Sequence, residues 1–288
     1  MITLGLKRRT FLSGTLAGLA SGEMLATLAA GAATRSSPPA LRIGSCVVDL
    51  EQGKRAGLDG VEIRVGDPAD KLRIADPAVR QQYREQMAST GLAISSFMMG
   101  LLNSNPLASE PRAPAWLEQS IDAASELAVR VILVAFFGKG NLLQDGQLNQ
   151  GEVQVVVQRL KAAAPRARDA GVILAIENTL SAKQNVEILE RIGHDAVRVY
   201  YDVGNSHSRG YDVPAEIRFL KDRIACFHFK DRDRYLGEGS IQFEPIAAAI
   251  KAIGYRGWIV METANPSKDP VADAMRNGGY IRRLLGLS

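Results

Sequence analysis

From residue 41 onward, eight short apolar runs alternate with segments of helical spacing, and this alternation limits the folds open to the chain. The runs cover residues 41–48, 60–65, 92–99, 130–137, 172–178, 197–203, 224–230 and 257–263. Each is rich in Val, Ile, Leu or Phe and brief, as strands covered on both faces are. Between them, Trp116, Leu117, Ile121, Ala124 and Leu127 form an apolar stripe at i, i+3/i+4 spacing. Val186, Leu189 and Ile192 form another, and Ile246, Ala249, Ile250 and Ile253 a third. Gly57, Gly91, Gly171 and Gly254 each stand just ahead of a run, where a left-handed residue ends a helix and turns the chain back. Strands alternating with helices give parallel βα units. Eight units in about 250 residues predict an α/β fold, a single (β/α)8 TIM barrel over residues 41–288. The rival, an open doubly wound sheet, lacks its Gly-x-Gly-x-x-Gly turn after the first run.

Composition narrows the function. At 46% hydrophobic and 23% charged, the 288 residues are too apolar for a disordered chain, and two cysteines are too few for a disulfide scaffold. The net charge of +4 is small and only Lys7-Arg8-Arg9 forms a basic run, which argues against a nucleic-acid partner. Residues 1–33 read differently from the rest. Twin arginines at 8 and 9, followed by Phe11-Leu12, precede an apolar stretch interrupted by Gly14, Gly18, Gly22 and Glu23. That stretch is too polar for a membrane span, which needs a run of ~20 apolar residues. Ala30-Gly31-Ala32 carries the small-x-small pattern of a signal-peptidase site, and the whole is similar to a Tat-type export signal. The expectation is an exported, periplasmic protein with no stable membrane insertion after signal removal. Cys46 and Cys226 fall in different runs, so each is expected to be a buried, unpaired thiol.

A barrel of this kind places its chemistry at the C-terminal ends of its strands. The fifth run ends at Glu177, the sixth at Asp202, the seventh runs into His228 and the eighth into Glu262. Strand alternation points Glu177 inward with Ala175, and His228 with Cys226. Three carboxylates and an imidazole crowded at one mouth repel one another until protons neutralise them. One bound divalent metal ion removes that conflict. Three oxygen ligands and one nitrogen favour Mn2+, with Mg2+, Co2+ or Zn2+ as alternatives. Lys230 and Arg234 are candidate substrate contacts or solvated loop charges. Glu62 either lines the mouth or pairs with Arg64 or Lys71. Glu238, flanked by glycines, either closes over substrate or turns the chain, and Asp231-Arg232-Asp233-Arg234 reads as a solvated turn.

Several strings carry a resemblance: Gly57-Leu58-Asp59-Gly60-Val61-Glu62, Glu177-Asn178, Tyr201-Asp202-Val203-Gly204-Asn205, His228-Phe229-Lys230-Asp231, Leu236-Gly237-Glu238-Gly239 and Trp258-Ile259-Val260-Met261-Glu262. In order and position the chain resembles the xylose isomerase-like barrel superfamily, and more narrowly its sugar phosphate isomerase/epimerase branch of ketose 3-epimerases and inosose-processing enzymes. The resemblance implies one divalent ion held by Glu177, Asp202, His228 and Glu262, with Glu177 and Glu262 also the acid/base pair. It implies a substrate contact from Arg234, six residues past the histidine. Many members carry a histidine three residues after the metal-binding aspartate; here Asn205 stands there, and His207 is the candidate replacement. A DNA-repair endonuclease branch with three zinc ions needs more histidines than His194, His207 and His228. The function expected is a metal-dependent sugar isomerase or epimerase that abstracts an α-proton and passes through an enediolate. The alternatives are a metal-dependent lyase or dehydratase on a keto-sugar, inosose or keto-glycoside, and a non-catalytic sugar-binding barrel. The partner is a small-molecule carbohydrate, and a homo-oligomer is left open.

Overall fold

In the computed structural model, which describes residues 41–287, the eight runs become eight parallel strands: β1 (Arg42–Ser45), β2 (Gly60–Arg64), β3 (Ala93–Met99), β4 (Val131–Ala135), β5 (Ile173–Glu177), β6 (Val197–Asp202), β7 (Ile224–Phe229) and β8 (Trp258–Met261). They pair in chain order into a closed barrel, sealed where Ile43 of β1 faces Ile259 of β8. Closure leaves no exposed sheet edge. All described residues belong to the unit Pro38–Ser288. The export-signal reading falls on residues 1–33 and lies outside the described residues. Among the described residues, no helix is long and apolar enough to cross a membrane.

Helices α1 (Leu50–Arg55), α2 (Pro77–Thr90), α3 (Ala113–Glu126), α4 (Gln150–Asp169), α5 (Ala182–Ile192), α6 (Val203–Ser208), α7 (Val213–Leu220), α8 (Phe243–Ala252) and α9 (Pro270–Leu285) follow the strands. Local chemistry sets their ends. In α2, Asp76 caps the first turn, Pro77 occupies the first helical position, and Gly91 ends the helix at φ 74. The α3 stripe is buried as its spacing requires, with Trp116, Leu117, Ile121 and Ala124 wholly inside. Burying each large apolar side chain contributes about 1.5–3 kcal/mol. Short α6 replaces the end expected for the sixth strand, because the Asp202 carboxylate accepts the Asn205 amide at 2.8 Å and starts a helix there.

Strand alternation splits the core in two. One set, including Ile43, Val61, Phe97 and Ile132, packs against the helices. The other, with Leu133, Ala135, Ala175, Tyr200, Cys226, Trp258 and Val260, fills the barrel interior. Both cysteines are free, as expected, but only Cys226 is buried. Cys46 is partly exposed because β1 stops at Ser45, leaving it on the mouth side of the strand. Pairing register shifts at Val61/Glu62 and at Val199/Tyr200. Such irregularities re-aim the side chains that follow, and both precede residues of the site below.

Candidate active site

Glu177 closes β5, Asp202 closes β6, His228 lies in the last turn of β7's pleat, and Glu262 follows β8 directly. Asp202 and His228 are register partners, and so are His228 and Val260. One donor atom from each of Glu177, Asp202, His228 and Glu262 lies within 4.8 Å of the other three. His228 is wholly buried, with Nδ1 at 2.9 Å from Glu177, 3.5 Å from Glu262 and 3.9 Å from Asp202. Its Nε2 faces the other way, 3.1 Å from Glu62 Oε1. The second Glu62 oxygen accepts the Ser96 hydroxyl at 2.7 Å and the Tyr200 hydroxyl at 2.8 Å. The Tyr200 ring stands edge-on to His228.

Lys230, on the same side as Glu262, brings its Nζ to 2.7 Å from Glu262 and 2.8 Å from Asp202 Oδ2. Its stem passes over Gly204, where a Cβ would collide with Lys230 Cγ. Glycine is needed at 204 for that close approach.

The crowding moves the charges of Glu177, Asp202, His228, Lys230 and Glu262. Burial pushes the Glu177 carboxyl up to about 7, against the pull of His228. Burial likewise raises Asp202, with Lys230 opposing. For Glu262 burial also disfavours the anion, yet His228 and Lys230 outweigh it and hold the group below the usual carboxylate range. Burial works against a charged His228, but Glu62 and Glu177 overcome it and keep the ring protonated well above its ordinary range. Lys230 is raised in the same way, with Asp202 and Glu262 outweighing burial.

The donor set fits a divalent cation. Asp202 Oδ1 is committed to capping α6, whereas the buried Oδ2 has only the Lys230 ammonium beside it, at 2.8 Å. A buried carboxylate oxygen balanced by a single ammonium, beside an imidazole nitrogen and two further carboxylates, matches the oxygen and nitrogen donors that hard and borderline divalent ions take. Glu62 behind His228 supplies the outer hydrogen bond that orients a ligating histidine.

Of the remaining residues named from the sequence, only Glu62 reaches the cluster. Glu62 is buried beside His228 and pairs with neither Arg64 nor Lys71. Arg234 is largely exposed, 3.8 Å from Asp233, and His207 bonds Ser240 at 3.0 Å; neither joins the cluster. Glu238 pairs with Arg276. Asp231 is wholly buried, unlike the exposed Arg232, Asp233 and Arg234, so the solvated-turn expectation fails at its first residue. Its Oδ2 accepts the Gly239 amide at 2.9 Å and ties down the loop after β7. Ser96 and Tyr200 escaped sequence reasoning, although Tyr200 stands two residues before Asp202 and so shares its face. Beside Cys46 and Glu62 a cavity of about 630 Å³ opens, lined further by Arg64, Arg73, Tyr83 and Met98.

The fold and this cluster define a class: a parallel (β/α)8 barrel with a candidate divalent-metal site at the C-terminal ends of strands five to eight. The chain belongs to the xylose isomerase-like TIM barrel family, whose model it matches over residues 50–284. It is 27% identical over 265 residues to the L-ribulose 3-epimerase of Mesorhizobium japonicum, covering 83% of this chain and 86% of that protein. It is 25% identical over 265 residues to the L-ribulose-5-phosphate 3-epimerase UlaE of Salmonella paratyphi C, covering 84% of this chain and 91% of UlaE. Among solved structures, an L-ribulose 3-epimerase superposes with a TM-score of 0.71 at 23% identity, over 87% of this chain and 95% of that one. The homologues are sugar epimerases.

Proposed function

We propose that this protein is a metal-dependent epimerase that inverts the carbon next to the carbonyl of a ketose or ketose derivative. The convergence of Glu177, Asp202, His228 and Glu262 on one point carries this reading. A divalent cation held there, Mn2+ in our reading, would offset the repulsion of the carboxylates and stabilise negative charge developing on substrate oxygens. The two glutamates divide the proton work according to their surroundings. Glu262, kept ionised by His228 and Lys230, takes the α-proton. Glu177, at the end of β5, returns one on the opposite face and inverts the carbon. In the reverse direction the roles exchange. Asp202 and His228 hold position, Glu62 fixes the ring of His228, and Lys230 offers an ammonium at the mouth to substrate oxygens.

The homologues' names make L-ribulose and its 5-phosphate the first substrates to try. Turnover in D2O with Mn2+ tests the mechanism: one solvent deuteron enters the inverted carbon, and Glu177→Gln and Glu262→Gln both abolish inversion. Inversion without deuterium uptake sinks the proton-transfer assignment. The 630 Å³ cavity supports one second reading, since it exceeds what a single five- or six-carbon sugar fills and falls in the ~300–1,000 Å³ range of larger ligands. A keto-glycoside would place its aglycone there, and loss of that aglycone without epimer would identify a lyase. We also propose export through the twin arginines at 8 and 9; continued normal export of the Arg8→Lys/Arg9→Lys protein overturns it.

A further inference from the structure

At the end of the barrel opposite the cluster, the interior floor is cationic. The bottom interior layer of such a barrel is ordinarily Val, Ile or Leu. Here Arg42 opens β1, and Arg198, second in β6, shares the inward face of Tyr200 and Asp202. Both border a cavity of about 350 Å³, joined by Arg130 ahead of β4, Lys221 ahead of β7 and Arg256 ahead of β8. Asp222 is the one carboxylate in its lining.

Among the described residues, no carboxylate forms an ion pair with any of these five cations. Arg42 lies over the Trp258 ring, 4.1 Å from its centroid, and its Nε is buried without a hydrogen-bond partner. Asp59, the carboxylate that most favours the Arg42 charge, is already taken by Arg282 at 2.9 Å and by the Ile43 amide at 2.7 Å. Burial, and after Asp59 the repulsion of Arg130, leave Arg42 with a lowered pKa. Arg198 is pinned by main-chain carbonyls, through Nε to Asp195 at 3.3 Å and through Nη1 to Asp222 at 3.2 Å, which costs it no charge. The residues preceding β1 hold no remedy in their composition: residues 34–40 contain Arg35 and no acid, and residues 1–33 contain only Glu23.

We propose that this floor cavity is a binding site for a small phosphate-bearing molecule, separate from the sugar site. Guanidinium groups donate paired hydrogen bonds that match phosphate oxygens, and four arginines converging with a lysine suit a dianion or more. The cavity lies at the small end of ligand sites, ~300–1,000 Å³, so it takes orthophosphate or diphosphate with a small organic body at most. The site lies on the same strands as the cluster, Arg198 being four residues from Asp202, or roughly 13 Å along the strand. A ligand here therefore does not occupy the sugar's place.

Calorimetric titration of the full chain with inorganic phosphate and with pyrophosphate, in a chloride buffer, tests this. One saturable site is expected, with pyrophosphate the tighter ligand. Arg130→Ser/Arg256→Ser should weaken it at least tenfold while leaving the thermal melt unchanged, because both side chains are exposed. Arg42→Met, which keeps bulk against Trp258, should do the same. Absence of saturable binding, or equal affinity in the double variant, overturns the proposal. Equal affinity would put the anion elsewhere on the barrel.

Discussion

His228 is gripped from both sides, by Glu177 at Nδ1 and by Glu62 at Nε2, and the two contacts do different work. Glu62 is itself fixed by Ser96 and Tyr200, so its free oxygen has one geometry to offer. Removing its charge should loosen the ring without opening the core. Glu62→Gln is expected to lower Mn2+ affinity by about 10–100-fold, the usual cost of losing such an outer carboxylate. Calorimetry measures the affinity and circular dichroism checks the fold; unchanged affinity would remove the role assigned to Glu62. Lys230 acts in the opposite sense, since its ammonium satisfies two of the carboxylates that a cation needs. Lys230→Met should tighten Mn2+ binding by about tenfold, or about 1.4 kcal/mol, while the metal-free protein melts earlier. Weaker binding in this variant would mean that Lys230 supports the cation site rather than competing with it.

Two elements beside the cluster depend on single carboxylates. Asp202 both ends β6 and caps α6, which ties the start of that short helix to the same side chain that faces His228. The loop after β7 depends on Asp231, whose carboxylate fills the space that any side chain at position 239 would claim. Asp231→Ala removes the partner of the Gly239 amide and should cost about 1 kcal/mol, the usual net worth of one hydrogen bond. The loss should be local. Limited proteolysis is expected to cut within residues 231–240 of this variant well before it cuts the wild type, with the barrel still folded. Equal protection would show that the pairs Glu238–Arg276 and His207–Ser240 suffice to hold the loop.

For the whole molecule, the crowded cluster links stability, pH and metal. Glu177, Asp202 and His228 all have folded-state pKa values above their ordinary ones. Groups of that kind favour the fold below their unfolded pKa and withdraw that support as pH rises through the folded value. For Glu177 the window runs from 4.5 to about 7. Glu262, held low, has the reverse sign and gives up its contribution only under more acidic conditions. A divalent cation competes with the protons on these same groups. The rise in melting temperature on adding Mn2+ should therefore be small at pH 5 and grow steadily to pH 8. A rise independent of pH would show that the ion binds elsewhere.

Alternation of side chains along a strand, and of strands with helices, is a local property, so the barrel and its four strand-end residues could be read directly from the chain. Glu177, Asp202, His228 and Glu262 each end a recognisable run, and the closed sheet brings such ends together. Caps were legible for the same reason, as Asp76 and Gly91 show. What lay beyond reach depends on contacts across the barrel. Glu62 and His228 are 166 residues apart and belong to strands that do not pair; a register shift just before Glu62 helps to decide which way it faces. The burial of Asp231 within a run of charges, and the gathering of Arg42, Arg130, Arg198 and Arg256 on the floor, likewise arise only when the sheet closes. Periodicity along the chain specifies which face of its own strand a side chain takes. Which distant partner it meets, and therefore which charge survives burial, is set by closure and register of the assembled barrel.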